Sequence, residues 1–179
     1  DGIEYFTNLT QLTCCGNFNE GKLSSIVLSN NTQLNLLNCS GNQLTELNIR
    51  NCTQITNLNV IKTLSQLDLS NNIQLIDLNC WENQLTELNL SNNTKLTELY
   101  CGLNQLTQLD LSNNVQLIYL NCSENQLTEL NLSNNTKLTE LYCGLNQLSQ
   151  LDLNNNTDLT SLSCYNNQFT QIDLSRNTK

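Results

Sequence analysis

The chain has 179 residues, enough for one ordinary domain with a sizeable core. Its net charge of −9 argues against a nucleic-acid backbone or an anionic membrane surface as the main partner. No apolar run approaches the roughly 18 residues of a membrane span, and no signal peptide is recognisable.

Asn and Leu dominate, while Pro, Met and His are absent, a bias that points to internal repetition. Repeat units begin at Leu9, Leu34, Ile55, Leu75, Leu96, Leu117, Leu138 and Leu159, and five of the seven spacings are 21 residues. An insertion around residues 18–22 lengthens the first spacing to 25, and residues 60–64 (VIKTL), one residue short and without the usual Asn, reduce the third to 20. The unit is nested: ten residues of the form LxxLxCxxNx precede eleven of the form LxxLxLxxNxx. Residues 83–106 recur unchanged at 125–148, a 42-residue offset that suggests duplication of paired units.

Both halves alternate apolar and polar residues, as in Leu99-Tyr100-Cys101 and Leu109-Asp110-Leu111, which is strand periodicity. A single turn cannot bury its apolar side alone, so turns must stack on one another. At strand spacing, eight turns extend roughly 38 Å. The expected fold is a β-rich solenoid with short parallel strands on two faces, one sheet per half-unit.

The repeated Asn positions follow from the same geometry. Where the backbone bends inward, buried peptide groups need partners, and an amide supplies both donors and an acceptor. One column is predicted at Asn17, Asn42, Asn83, Asn104, Asn125, Asn146 and Asn167. A second is predicted at Asn31, Asn72, Asn93, Asn114, Asn135, Asn156 and Asn177, with Cys52 standing in at the remaining turn. Asn113, next to the second column, reads as plain surface.

The LxxLxCxxN and LxxLxLxxN halves resemble bacterial leucine-rich repeats, and the nesting is similar to the subclass called IRREKO. The opening DGIEYFTNLTQL, residues 1–12, is similar to a repeat junction of internalin-type proteins. The resemblance covers nearly the whole chain. It implies a right-handed coil of about eight turns with low curvature, secreted or cell-surface residence in a bacterium, and protein–protein recognition of the kind used in host interaction or adhesion. Residues 1–179 are expected to form a single leucine-rich-repeat domain. The start at Asp1 and the stop at Lys179 partway through a repeat suggest a fragment of a longer protein.

Seven of the nine cysteines (Cys14, Cys39, Cys80, Cys101, Cys122, Cys143, Cys164) share one inward register in which Val60 substitutes. Valine replaces neither a ligand nor half a disulfide, so the position requires a small hydrophobe. A one-dimensional row does not converge on zinc, and neither a metal nor another cofactor is expected. Cys15 points outward. Without His the usual hydrolase bases are missing, so catalysis is not expected. Asp68, Asp110, Asp152 and Asp173 share an outward row with Asn48, Asn89 and Asn131, a solvated, charge-spaced face, and no pocket is expected on a filled solenoid.

The two outward faces differ. On the Cys-bearing side the outward rows hold Trp81, Tyr100, Tyr119, Tyr142 and Tyr165, with Asp77, Glu98 and Glu140 beside them. The other side shows Glu46, Gln66, Glu87, Gln108, Glu129, Gln150 and Gln171 and no aromatic. Aromatic residues with a polar rim suit protein recognition, and the carboxylates suit a basic partner surface. Tyrosines also suit strands for purely structural reasons. The alternative function is a structural spacer, a stalk that displays another domain.

Overall fold

A computed structural model describes residues 2–16 and 21–179. Asn17 and most of the insertion expected around residues 18–22 lie outside the described residues. After a 3-10 turn at Ile3–Tyr5, each repeat contributes one three-residue strand: β1 (Gln11–Thr13), β2 (Leu36–Asn38), β3 (Asn57–Asn59), β4 (Asp77–Asn79), β5 (Glu98–Tyr100), β6 (Tyr119–Asn121), β7 (Glu140–Tyr142) and β8 (Ser161–Ser163). They pair in sequence order as one parallel eight-stranded sheet. The register is strict: Leu12, Leu37, Leu58, Leu78, Leu99, Leu120, Leu141 and Leu162 align as one inward row.

Each strand has one inward residue flanked by two outward ones, and Cys or Val follows as the next inward residue. From β2 to β7 that central Leu is buried, as are Cys39, Val60, Cys80, Cys101, Cys122 and Cys143. Every buried Leu contributes about 1.5–3 kcal/mol of transfer free energy, but only because the turns above and below cover it.

The expected second sheet is not formed. Among the described residues the second half-unit has no strand, and its turns are tied mainly by single backbone bonds such as Gln84 N–H to Leu64 O (2.8 Å) and Gln105 N–H to Leu85 O (2.9 Å). Its inward leucines, Leu85, Leu88 and Leu90 for example, are buried all the same. The alternating pattern records burial there, while the following S-N-N turn bends the backbone before a strand ladder can extend.

The first Asn column satisfies both ends of its amides. Asn104 Nδ2 donates to Cys80 O (3.0 Å), Cys101 O (3.1 Å) and Gly102 O (3.0 Å), and its Oδ1 accepts from Leu85 N (3.0 Å). In the short third turn Thr63 occupies this place, donating its hydroxyl to Leu44 O, with Lys62 and Thr63 both at positive φ. The second column works by donation alone. Asn114 Nδ2 reaches Leu90 O (3.2 Å) and Asn93 O (2.9 Å), and Cys52 Sγ reaches Leu28 O (3.5 Å). The Oδ1 atoms of Asn31, Asn72, Asn93, Asn114, Asn135, Asn156 and Asn177 are buried without a hydrogen-bond partner.

A third column goes beyond the two expected. Asn51, Asn71, Asn92, Asn113, Asn134 and Asn155, all exposed, each donate to a backbone carbonyl of the preceding turn; Asn113 Nδ2 lies 3.1 Å from Ser91 O. Asn113 is therefore a structural tie rather than plain surface.

Candidate functional site

Strand register places the outward residues in columns. One runs Leu36, Asn57, Asp77, Glu98, Tyr119, Glu140, Ser161, and the next runs Asn38, Asn59, Asn79, Tyr100, Asn121, Tyr142, Ser163. Tyr119 thus belongs to a different column from Tyr100 and Tyr142, yet its ring reaches both. The Tyr100 and Tyr119 centroids are 4.5 Å apart with an interplanar angle of 30°, and the Tyr119 and Tyr142 centroids are 5.5 Å apart at 33°. Three rings from three successive turns make one continuous tilted stack.

Carboxylates hold the outer rings. Tyr100 Oη donates to Glu98 Oε2 at 3.2 Å and Tyr142 Oη to Glu140 Oε2 at 3.0 Å. Burial, and then the charge of Glu98, pushes the Tyr100 phenol up to about 12, so it remains a neutral donor at physiological pH. Burial raises the Asp77 carboxyl as well; the Asn57 amide, 3.4 Å away, opposes this, and Glu98 adds to it.

Trp81 and Tyr165 lie two residues past the strand ends, just after the inward cysteines, in a third column with Gly102, Ser123 and Gly144. They cover the two glycines: a Cβ at Gly102 would fall 2.2 Å from the Trp81 ring, and one at Gly144 would fall 2.6 Å from the Tyr165 ring. Neither makes a ring contact with the tyrosine stack among the described residues. The expected aromatic row is therefore a central stack of three with an aromatic-on-glycine shelf toward each end. On the next residue the backbone is left-handed at Glu82, Leu103, Glu124, Leu145 and Asn166 (φ +51° to +57°), where the second turn uses Gly41.

On the strand face, β2 to β5 enclose a groove of about 350 Å³ lined by Leu36, Asn57, Asn59, Asp77, Glu98 and Tyr100, among others. The Oδ1 of Asn59 is buried there without a hydrogen-bond partner. Attention to aromatics passes over these asparagines; the signal that finds them is the run of Asn at outward strand positions 38, 57, 59 and 79.

The opposite face carries shallow grooves too, contrary to the expectation of none. One of about 640 Å³ runs past Glu129, Asn131, Gln150, Asp152 and Gln171. Its aspartates are engaged by their own backbone, Asp152 Oδ1 accepting from Asn154 N at 3.0 Å and Asp173 Oδ1 from Ser175 N at 2.9 Å. Asp68 is held still more firmly. The Ser70 hydroxyl, the Ser70 N–H and Arg50 (3.0 Å) bring its carboxyl down to about 2. These are turn-forming groups, and no aromatic lies among them. All nine cysteines are unpaired, and among the described residues no cluster of His, Cys, Asp or Glu is arranged to hold a metal.

No protein-family model and no curated protein sequence matches the chain. Solved structures do. The functional domain of InlJ from Listeria monocytogenes, described as including a cysteine ladder, superposes with a TM-score of 0.82 at 33% identity over 99% of this chain and 48% of that one. An internalin, InlF, from the same species gives 0.81 at 30% identity over 93% and 51%. The chain is an internalin-like leucine-rich-repeat solenoid. A leucine-rich-repeat protein of Leptospira interrogans shares the fold (TM-score 0.83) at 22% identity over 96% and 50%. The solenoid spans about half the length of these chains. Its own inward row of seven cysteines and Val60, buried except at the half-buried Cys14 and Cys164, parallels the ladder described for InlJ, and the 21-residue spacing fits these neighbours. Among the described residues no helix is long and apolar enough to cross a membrane.

Proposed function

We propose that this solenoid is a non-enzymatic protein-binding module, one leucine-rich-repeat domain of a longer bacterial secreted or cell-surface protein, engaged in host interaction or adhesion. The contact is centred on Tyr100, Tyr119 and Tyr142, extended by Trp81 and Tyr165 and rimmed by Asp77, Glu98 and Glu140. The observation that carries this reading is the three-ring stack: outward-facing tyrosines already ordered by mutual contact and by Glu98 and Glu140 bury large areas with little further loss of entropy. The acidic rim favours a basic partner surface, so association slows as salt rises.

The test uses surface plasmon resonance against a panel of host surface and extracellular-matrix proteins. Any saturable interaction is then repeated with two double variants that keep the wild-type circular dichroism. Tyr100→Ser with Tyr142→Ser should abolish it, and Gln108→Ala with Gln150→Ala should not; the reverse pattern would show that the wrong face was chosen. One observation favours the spacer reading: residues 83–106 and 125–148 are identical, so duplicated turns present undiversified surfaces. A spacer predicts no saturable interaction with any protein of the panel.

A further inference from the structure

We propose that the groove across β2 to β5, beside the tyrosine stack, is an anchor site for a single arginine side chain of the protein partner. This rests on the protein-binding reading above and names the chemistry the partner must present.

Three observations converge on a cationic guest. Asp77 and Glu98 are paired residues on adjacent strands, so two carboxylates face the same groove one turn apart. The groove lining contributes Asn and Leu besides, and no Lys or Arg, so the charge is uncompensated within it. Asp77 registers this: burial raises its carboxyl and Glu98 raises it further, while the hydrogen bond that opposes them comes from an uncharged Asn57 amide at 3.4 Å. A guest cation removes the repulsion between the two carboxylates.

The remaining lining selects among cations. Tyr100 forms one wall, an aromatic group of the kind that receives a flat cation, and its hydroxyl donates to Glu98 Oε2 at 3.2 Å. Asn38, Asn57, Asn59 and Asn79 add neutral polar side chains to the lining. Several acceptors spread over neighbouring turns suit the five-donor fork of a guanidinium, whereas an ammonium group offers three donors from one point. A volume of about 350 Å³ accommodates one such head and its stem, not a globular element. The partner residue entering here sits at the end of the tyrosine stack, so its neighbours fall on Tyr119 and Tyr142.

The test needs no identified partner. Nuclear magnetic resonance of the labelled chain is followed during titration with N-acetylarginine amide, its neutral isostere N-acetylcitrulline amide, N-acetyllysine amide and N-acetylglucosamine. Arginine amide should shift the Asn57, Asn59 and Asn79 side-chain amides and the β4–β5 backbone saturably. Citrulline amide should bind at least about tenfold more weakly, since it lacks the charge-assisted hydrogen bonds. Asp77→Asn with Glu98→Gln, nearly isosteric and on the surface, should lose the response while the rest of the amide spectrum stays in place; Tyr142→Ser should keep it. The proposal is overturned by equal binding of citrulline amide, by a response to N-acetylglucosamine or lysine amide in place of arginine, by arginine shifts that survive the double carboxylate change, or by no response. In each of those cases the tyrosine-stack reading stands or falls separately, on the Tyr100→Ser, Tyr142→Ser measurement.

Discussion

The ring of Tyr119 lies 4.5 Å from that of Tyr100 although the two residues occupy different columns of the sheet. Tyr119 therefore bridges Tyr100 and Tyr142, whose strands are two turns apart and too distant for direct contact. Tyr119→Ser should break the stack, lower stability by about 0.5–1.5 kcal/mol and reduce the near-ultraviolet dichroism of the tyrosines. Tyr119→Phe should preserve both. Equal effects of the two changes would mean that the rings do not act as a unit.

The buried thiols set the alkaline limit of the fold. Burial pushes Cys39, Cys80 and Cys143 up to about 12, and Cys101 and Cys122 well above their ordinary value. A folded pKa above the unfolded one means stability that is complete below the unfolded value near 9 and lost as pH rises towards 12. The melting temperature should fall across that window. Cys80→Val combined with Cys101→Val, which repeats the natural Val60 of the same column, should shrink the fall while costing about 1 kcal/mol or less at pH 7. An unchanged alkaline profile would point away from the cysteine row.

The same row predicts thiol accessibility. At neutral pH a thiol reagent should modify exposed Cys15 first and the half-buried Cys14 and Cys164 more slowly. The six buried cysteines should react only after denaturation, giving nine in all. Fast reaction of Cys101 in the folded protein would contradict the packing described above.

The two buried Asn columns should differ in what they tolerate. Asn104→Ala should cost about 1–3 kcal/mol, and Asn104→Cys nearly as much, because Leu85 N–H loses its acceptor in both. Asn114→Cys should be milder, since Asn114 only donates and Cys52 already fills this place in another turn. Exposed Asn113 makes one bond, so Asn113→Ala should cost about 0.5–1 kcal/mol. Thermal melts of the four variants decide the order; equal losses at Asn104 and Asn114 would count against a donor-only second column.

Left-handed backbone at Leu103 (φ +51°) and Leu145 (φ +55°) carries a steric cost of about 1–2 kcal/mol per residue that glycine avoids. Each side chain is only 36% exposed, so it also contributes some burial. Leu103→Gly with Leu145→Gly should therefore change the melting temperature little, the relief of strain being offset by the lost partial burial and by the greater entropy of glycine in the unfolded chain. A lower melting temperature would mean that these leucines contribute packing that outweighs the strain.

The sequence by itself determined the turn length, the inward Leu and Cys rows, both buried Asn columns and the Cys52 substitution. Each of these repeats with the coil, and a repeated burial pattern can be read from one turn. It also carries the two-turn surface period. Glu46, Asp68, Glu87, Asp110, Glu129 and Asp152 supply one carboxylate per turn in alternating columns, which holds carboxylates of one column roughly 10 Å apart, about a screening length. Only the tertiary structure decided that one half-unit forms a sheet and the other does not. Both halves alternate apolar and polar residues equally, and hydrogen bonding between turns is not encoded in that alternation. It likewise decided that Tyr119 joins Tyr100 and Tyr142 while Trp81 settles on Gly102, and that Asn57, Asn59, Asp77 and Glu98 share a groove. Those contacts join residues about 20 positions apart whose side chains must lean across columns. Lean depends on which neighbour leaves space, as Gly102 does for Trp81, and the space exists only once the turns are stacked.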